Sequence, residues 1–172
     1  MTTSLTTSLR APSPPAGART ALSTLSTLMR LARRMIGLVE HLQPLAQLAA
    51  RLYVGRVFFQ SGWVSLQDWS GTLSLYEDDF HVPLLPPHLA AYLGTAGEIV
   101  LPMLLVLGLA GRFGAAGLLV VNVVAYMSVP DLSAAAAQQH VFWGSLLIAL
   151  ILWGPGRLSA DHVIVKALGL RR

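Results

Sequence analysis

Three charged residues lie inside apolar stretches of the chain, where either chemistry or packing must account for them. Arg51 and Arg56 lie in RLYVGRVFFQSGWVSL, and Glu98 lies near the middle of LAAYLGTAGEIVLPMLLVLGLA at residues 89–110. An isolated charge at the bilayer centre costs about 2.5–3.5 kcal/mol on insertion scales, so each needs a partner. We expect Glu98 to pair with Arg56, with Arg51 as the alternative, because antiparallel spans place Arg56 and Glu98 at the same height. This buried charged centre either fixes helix packing or holds a ligand or a proton.

Polar and aromatic residues of two later apolar stretches are expected to line the same site, of which Arg56 and Glu98 form the charged centre. Asn122 and Tyr126 belong to one stretch, and His140 and Trp143 to the next. At the depth of His140 an imidazole can donate a hydrogen bond to a quinone headgroup, which can stack on an aromatic ring. The alternative for Asn122 and His140 is a hydrogen bond between helices. Haem ligation is not expected, because no second histidine lies in a facing span.

Few residues of the chain are candidates for binding a metal or for covalent chemistry. His81 and His88 lie beside acidic residues in one loop and are weak candidates for a copper or zinc site, with a solvated acidic loop as the alternative. The chain has no cysteine, which excludes disulfides, Cys-ligated zinc, iron–sulfur clusters and covalent haem attachment. It has no nucleotide-binding loop either, so we do not expect it to be catalytic alone.

The composition predicts the elements that position these residues. The 172 residues are 54% hydrophobic and 12% charged, which is typical of a small polytopic membrane protein. We predict an all-α fold, an integral membrane four-helix bundle with spans at residues 45–66, 89–110, 113–129 and 138–153. A tight turn at Gly111-Arg112 joins the second span to the third. The net charge of +4 is attributed to topology, and no nucleic-acid partner is expected.

The regions outside the spans predict the domain organisation. Residues 1–20, rich in Ser, Thr, Pro and Ala, are expected to be a disordered arm. Residues 21–43 are predicted to form an amphipathic interfacial helix, with a targeting peptide as the alternative. Residues 44–164 form the membrane domain, and residues 165–172 a basic tail. Lys and Arg flank the spans on one side only, which predicts that both termini are cytoplasmic in a bacterial inner membrane.

Three motifs carry a family resemblance. Arg51, Gly55 and Gly62 follow R-x3-G-x6-G, Glu98 precedes a leucine-rich run ending in G-L-x-x-R, and GPGRLSADH follows the last span. The chain thus resembles the DoxX family of small four-helix bacterial membrane proteins. The resemblance implies a four-helix bundle in the cytoplasmic membrane and, for some relatives, association with quinone-linked oxidation.

The GPGRLSADH segment also has an architectural interpretation. Gly154 is predicted to end the fourth span in a left-handed cap, and Pro155 then prevents the helix from continuing into Gly156. Ser159 or Asp161 is predicted to cap a following helix on the inner membrane surface.

The leading functional hypothesis is an accessory subunit of a redox system, which is either quinone-linked or concerned with metal stress. Its partners would be the lipid bilayer and a protein of a redox or metal-handling complex, and a homo-oligomer is left open. The alternatives are an assembly or chaperone-like membrane partner, and a transporter for a small solute or metal.

Overall fold

Helices make up all the regular secondary structure of the computed structural model, which describes residues 16–154 and 156–169. In chain order the helices are α1 (Ala16–Gln67), α2 (Trp69–Asp78), α3 (Pro87–Leu107), α4 (Gly111–Ser128), α5 (Ala134–Trp153) and α6 (Ala160–Ala167). The predicted all-α fold is confirmed. Residues 1–15 of the predicted disordered arm lie outside the described residues, and residues 16–20 are helical.

The chain divides into two units, residues 1–41 and 42–172. The described part of the first unit is helical, and its apolar residues from Leu25 to Val39 are largely exposed. The predicted amphipathic helix of residues 21–43 is therefore helical, but the helix does not end at residue 43. Its position at a membrane interface stays a prediction.

Four helices of the second unit share one core. The buried side chains of this core come from α1, α3, α4 and α5, and they are Val54, Phe58, Leu105, Ala115, Leu118, Leu147 and Leu150. The rings of Phe58 and Trp143 pack edge to face with centroids 6.0 Å apart, which joins α1 to α5. The predicted four-helix arrangement follows from these contacts.

Close approach of α1 to α3 depends on glycine. A β-carbon placed at Gly62 would lie 2.8 Å from the β-carbon of Glu98, and one at Gly55 would lie 2.5 Å from a methyl group of Val106. Both distances are shorter than real contacts between carbon atoms. Because they carry no side chain, the two glycines of the R-x3-G-x6-G motif let side chains of α3 pack directly on the backbone of α1.

Three described helices, α3, α4 and α5, are long and apolar enough to cross a membrane. The predicted first span, residues 45–66, is part of α1 and carries Arg51 and Arg56, which lower its hydropathy. The structure moves the predicted turn between the second and third spans from Gly111-Arg112 to residues 108–110. Gly108 adopts φ +70° and ends α3, so α4 already begins at Gly111.

The loop predicted between the first two spans contains α2. The Asp68 carboxylate accepts a 2.9 Å hydrogen bond from the Gly71 N–H and so caps this helix. The helix packs on α3, where the rings of Trp69 and Tyr92 lie 4.8 Å apart. After α2, the His81 N–H donates to the carbonyl of Ser128 at the end of α4.

Of two local predictions for the chain after α5, the cap of α6 is confirmed at one of its two candidate residues, and the left-handed cap at Gly154 is wrong. Ser159 is the residue that caps α6, because its hydroxyl accepts from the His162 N–H at 3.2 Å. Gly154 has a positive φ of +83°, as a helix-ending glycine can, but its ψ of −173° is extended and not left-handed helical. Pro155 and residues 170–172 lie outside the described residues, and α6 takes up the first residues of the predicted tail.

Candidate functional site

Arg51 lies at the end of α3 and does not pair with Glu98. It is only 2% exposed, and its guanidinium donates to the main-chain carbonyls of Leu105 at 2.8 Å, Val106 at 2.6 Å and Leu158 at 2.9 Å. The last carbonyls of a helix lack partners within it and form its negative end, so they suit a cation. The expectation that Arg51 is an alternative partner of Glu98 is wrong.

Asp161 caps α4, the helix that follows α3 in the chain. Its two carboxylate oxygens accept hydrogen bonds from the N–H groups of Ala110 at 2.9 Å and Gly111 at 3.1 Å, at the start of α4. Its own N–H donates to the carbonyl of Gly108 at 3.0 Å. We call Arg51, Gly108, Ser159 and Asp161 the α3–α4 junction, since all four surround the turn between these helices. Asp161 also attracts the Arg51 guanidinium electrostatically.

The glycines after α5 fit beneath two side chains. Gly156, with φ +75°, lies against the buried side chain of Gln47, and Gly154 lies against the guanidinium of Arg112. A β-carbon at Gly156 would overlap the Gln47 amide. The motif residues of this segment thus hold the chain before α6 against the bundle.

Glu98 binds a hydroxyl group of α1 and not an arginine. The Ser61 hydroxyl donates to the Glu98 carboxylate at 3.1 Å, whereas Arg56 is exposed and forms no ion pair with it. Ser61 lies five residues beyond Arg56, about 7.5 Å further along the helix axis. The predicted Arg56–Glu98 pair is wrong because the two helices meet at a different height.

Tyr76 of α2 is a neighbour of Glu98 that the sequence did not reveal. Its hydroxyl lies against Gly94, one helical turn before Glu98. Burial, and then repulsion by the Glu98 carboxylate, raise the pKa of Tyr76 above its usual value of 10.0. A glycine four residues before an acid was the available signal, but nothing in the sequence pointed to Tyr76 as the residue that fills that space.

Asn122 and His140 form a two-point contact between α4 and α5. The Asn122 Nδ2 donates to the main-chain carbonyl of His140 at 3.0 Å, and the Asn122 Oδ1 lies 2.9 Å from the His140 Nδ1. Asn122 is buried and His140 is partly buried. The hydrogen bond between helices, given above as the alternative for both residues, is present.

Aromatic rings flank this histidine. The His140 ring centroid lies 6.1 Å from that of Tyr126 and 5.2 Å from that of Trp143, both edge to face. Tyr126 is exposed, so one side of the group opens to the surroundings of the bundle. We call Asn122, Tyr126, His140 and Trp143 the histidine cluster. The structure therefore brings together the predicted ligand-lining residues.

The predicted charged centre and the ligand-lining residues do not form a single site. Glu98 accepts a hydrogen bond from α1 and acts electrostatically on Tyr76 of α2, whereas Asn122 binds α5. Arg51 belongs to the α3–α4 junction. The sequence placed Arg56 and Glu98 at the same height, but the depth of a residue does not determine which neighbouring helix its side chain faces.

The two histidines of the predicted loop have other partners, and His88 lies in the first turn of α3. His88 lies 2.7 Å from the Glu77 carboxylate, and the Nδ1 of His81 lies 3.2 Å from the carbonyl of Asp79. Within the part of the chain that the structure describes, no three His, Asp or Glu side chains come together as metal ligands.

A groove between α2 and α3 was not predicted. Its volume is about 290 Å³, and its lining is almost entirely apolar. None of the lining residues is an acid or base that ionises near neutral pH. Its lining residues are Leu66, Trp69, Tyr92, Thr95, Ala96, Ile99 and Val100.

Comparison with known proteins gives one family and one relative. The DoxX family model matches residues 46–131, half of the chain. An uncharacterized protein of Haemophilus influenzae is 29% identical over 128 residues, which cover 69% of this chain and 83% of that protein. No solved structure matches. The matched family region includes Arg51, Glu98 and Asn122 and ends before His140.

Proposed function

The chain belongs to the DoxX family, and we propose that it is an accessory subunit of a quinone-linked redox system in the bacterial inner membrane. In this proposal the headgroup of a membrane quinone binds at the histidine cluster. The observation that carries the proposal is the His140 imidazole, held by Asn122 between the rings of Tyr126 and Trp143 on a helix long enough to span the membrane.

The histidine cluster has the mixed chemistry of a headgroup site. Aromatic rings offer the edges and faces against which a planar ring packs, and the imidazole offers a hydrogen-bonding group. The half-exposed Tyr126 leaves the cluster open to the hydrocarbon region, from which a lipid-soluble ligand would enter. Small-molecule sites typically combine an apolar lining with a few such polar groups.

A binding measurement tests this function. The full chain is purified in mild detergent, its lipid-soluble compounds are extracted, and quinone is quantified per protein. We expect near-stoichiometric quinone for the wild type and a loss in His140→Phe. His162→Phe is the matched control, because His162 lies on exposed α6 outside the cluster, and it should retain quinone. A wild type without quinone would overturn the proposal.

Membrane topology is part of the same proposal. Residues 45–66 of α1 join α3, α4 and α5 as a fourth span, and both termini lie in the cytoplasm, in keeping with the positive-inside rule. Since the chain has no cysteine, single cysteines report on topology without background. A membrane-impermeant maleimide should label Asp79→Cys and Asp131→Cys in intact spheroplasts, but Leu168→Cys only after permeabilisation. Labelling of Leu168→Cys in intact spheroplasts would contradict this orientation.

A second candidate function is an assembly partner for another membrane protein. Leu28, Leu31, Met35 and Leu38 of α1 are each more than half exposed, which is more apolar surface than an isolated helix in water favours. Under this function, deleting residues 16–41 would remove a co-purifying protein and leave any quinone in place. The metal-stress role and the transporter remain alternatives, and solute flux in liposomes without bound quinone would favour the transporter.

A further inference from the structure

The proton of the His140 imidazole is on Nδ1. The Asn122 Nδ2 donates to the main-chain carbonyl of His140 at 3.0 Å, so the amide oxygen faces the imidazole Nδ1 at 2.9 Å. An amide oxygen only accepts hydrogen bonds, and therefore this contact requires an N–H at Nδ1. Turning the amide over would set its oxygen against the His140 carbonyl, so the two contacts together fix the orientation of Asn122.

The other ring nitrogen is then an acceptor. A neutral imidazole has one N–H, and with that proton on Nδ1 the Nε2 keeps a free lone pair. The sequence led us to expect an imidazole that donates to a quinone carbonyl. The donor of this imidazole is instead bound by Asn122, so the nitrogen left for a ligand can accept a hydrogen bond but cannot supply one.

Trp143 carries the other ring N–H of the cluster, but this group is not accessible to a ligand. Its Nε1 is buried, and among the residues that the structure describes it is the buried side-chain nitrogen or oxygen without a hydrogen-bond partner. The indole nitrogen only donates, and the indole ring lies 5.2 Å from the His140 ring. The group that the cluster presents to a ligand is therefore the acceptor on His140, because the Trp143 Nε1 is buried.

A hydroxyl group is the ligand group that can use the His140 acceptor. It donates its proton to a lone pair and accepts a hydrogen bond on its oxygen, whereas a ketone carbonyl only accepts. A carbonyl at this position would leave the Nε2 lone pair facing an oxygen lone pair. Leaving a partly buried polar group unpaired typically weakens binding by about tenfold.

On the premise of the proposed function, we infer that the histidine cluster binds the reduced, hydroxyl-bearing quinol in preference to the oxidised quinone. The site would then receive its ligand from a reaction that reduces the membrane quinone pool, and it would release the ligand more readily once the ring is oxidised. The discrimination comes from hydrogen-bond polarity, since quinol and quinone have nearly the same shape.

Direct binding of three probes tests the inference. A short-chain benzoquinone, its quinol kept reduced under anaerobic conditions, and the dimethyl ether of that quinol are titrated into the purified full chain in detergent. We expect the quinol to bind about tenfold more tightly than either of the other two. The dimethyl ether keeps the ring oxygens and removes the donors, so it separates the hydroxyl proton from the oxidation state.

Two variants of the orienting residue sharpen the test. Asn122→Leu removes the group that binds the Nδ1 proton, so the imidazole can place a proton on Nε2 and the preference for quinol should narrow to about twofold or less. Asn122→Asp keeps an acceptor for Nδ1 and favours the doubly protonated ring, which donates at Nε2 and should strengthen quinone binding. The comparison of the three probes on the wild type holds even where a variant fails to fold.

The outcomes separate the two levels of the proposal. Equal binding of quinol and quinone, or tighter binding of quinone, would overturn the inference and leave the proposed function intact. Binding of the dimethyl ether as tight as that of the quinol would also overturn it. Failure of all three probes to bind would overturn the proposed function and the inference with it.

Discussion

The Arg51 guanidinium donates a 2.9 Å hydrogen bond to the main-chain carbonyl of Leu158, 107 residues further along the chain. The same side chain binds the last carbonyls of α3. One residue therefore fixes the segment before α6 and the end of α3 in the same place. With Asp161 on the neighbouring N–H groups, it ties the α3–α4 junction to the segment before α6.

Loss of Arg51 should destabilise the bundle strongly. Arg51→Ala leaves at least three carbonyls without this donor, at a cost of at least about 3 kcal/mol. The measurement is reversible denaturation in detergent followed by circular dichroism. Arg157→Ala is the matched control and should change the free energy of unfolding by less than about 0.5 kcal/mol, because its side chain is exposed and lies outside the predicted spans. Equal losses of unfolding free energy in the two variants would show that Arg51 stabilises the bundle no more than an exposed arginine does.

Glu98 should be energetically coupled to Ser61 and not to Arg56. In double-mutant cycles of alanine variants, the Arg56 and Glu98 losses should add to within about 0.5 kcal/mol, since the two side chains are not in contact. The Ser61 and Glu98 losses should show coupling of about 0.5–1.5 kcal/mol, because the pair shares a 3.1 Å hydrogen bond. A clear coupling energy between Arg56 and Glu98 would restore the ion pair expected from the sequence.

Asp161 should stabilise the start of α4. Asp161→Ala removes the acceptor of the Ala110 and Gly111 N–H groups, and we expect a loss of about 1–2 kcal/mol. Hydrogen exchange of these two amides should become faster at the same time. Asp131→Ala, at an exposed acid in the loop between α4 and α5, is the control and should leave both measurements unchanged. Unchanged exchange at Ala110 in Asp161→Ala would argue against the cap.

Gly62 should not tolerate a side chain. In Gly62→Ala the new β-carbon would lie 2.8 Å from the Glu98 β-carbon, so α1 and α3 must move apart, at a cost of about 1–3 kcal/mol. Gly37→Ala is the matched control, because nothing lies within 4 Å of a β-carbon at that helical position. There we expect a gain in helix stability of about 0.5–1 kcal/mol. A neutral Gly62→Ala would mean that the two helices are further apart than described.

Tyr76 should ionise at a higher pH than a free tyrosine. Burial disfavours the phenolate and the Glu98 carboxylate repels it, so the pKa of Tyr76 lies above 10.0. The stabilisation from the neutral hydroxyl is present below pH 10 and is lost as the pH rises through the pKa of the folded state. The difference in absorbance near 295 nm between the wild type and Tyr76→Phe measures this titration.

Glu98→Gln separates the two causes of that shift. It removes the carboxylate charge and keeps the burial, so the pKa of Tyr76 should fall while staying above 10.0. An unchanged titration in Glu98→Gln would place Tyr76 too far from residue 98 to sense its charge.

Local sequence features predicted the helices and several of their ends. The apolar stretches around Glu98, Asn122 and His140 are helices close to their predicted bounds, because about twenty apolar residues in a row have few other stable forms in a membrane protein. Ser159 caps α6 as a serine before an apolar run does elsewhere. The motifs that carry the family resemblance are also local features, since their spacing is read directly along the chain.

The partners of the polar side chains were decided only by the tertiary structure. The sequence placed Arg56 opposite Glu98, but the structure places Ser61 there, five residues and about 7.5 Å further along α1. The sequence could not reveal that Arg51 binds the carbonyls at the end of α3, or that Tyr76 lies near enough to Glu98 to sense its charge. A sequence determines which residues form a helix, whereas the rotation and height of each helix follow from packing against all of its neighbours at once.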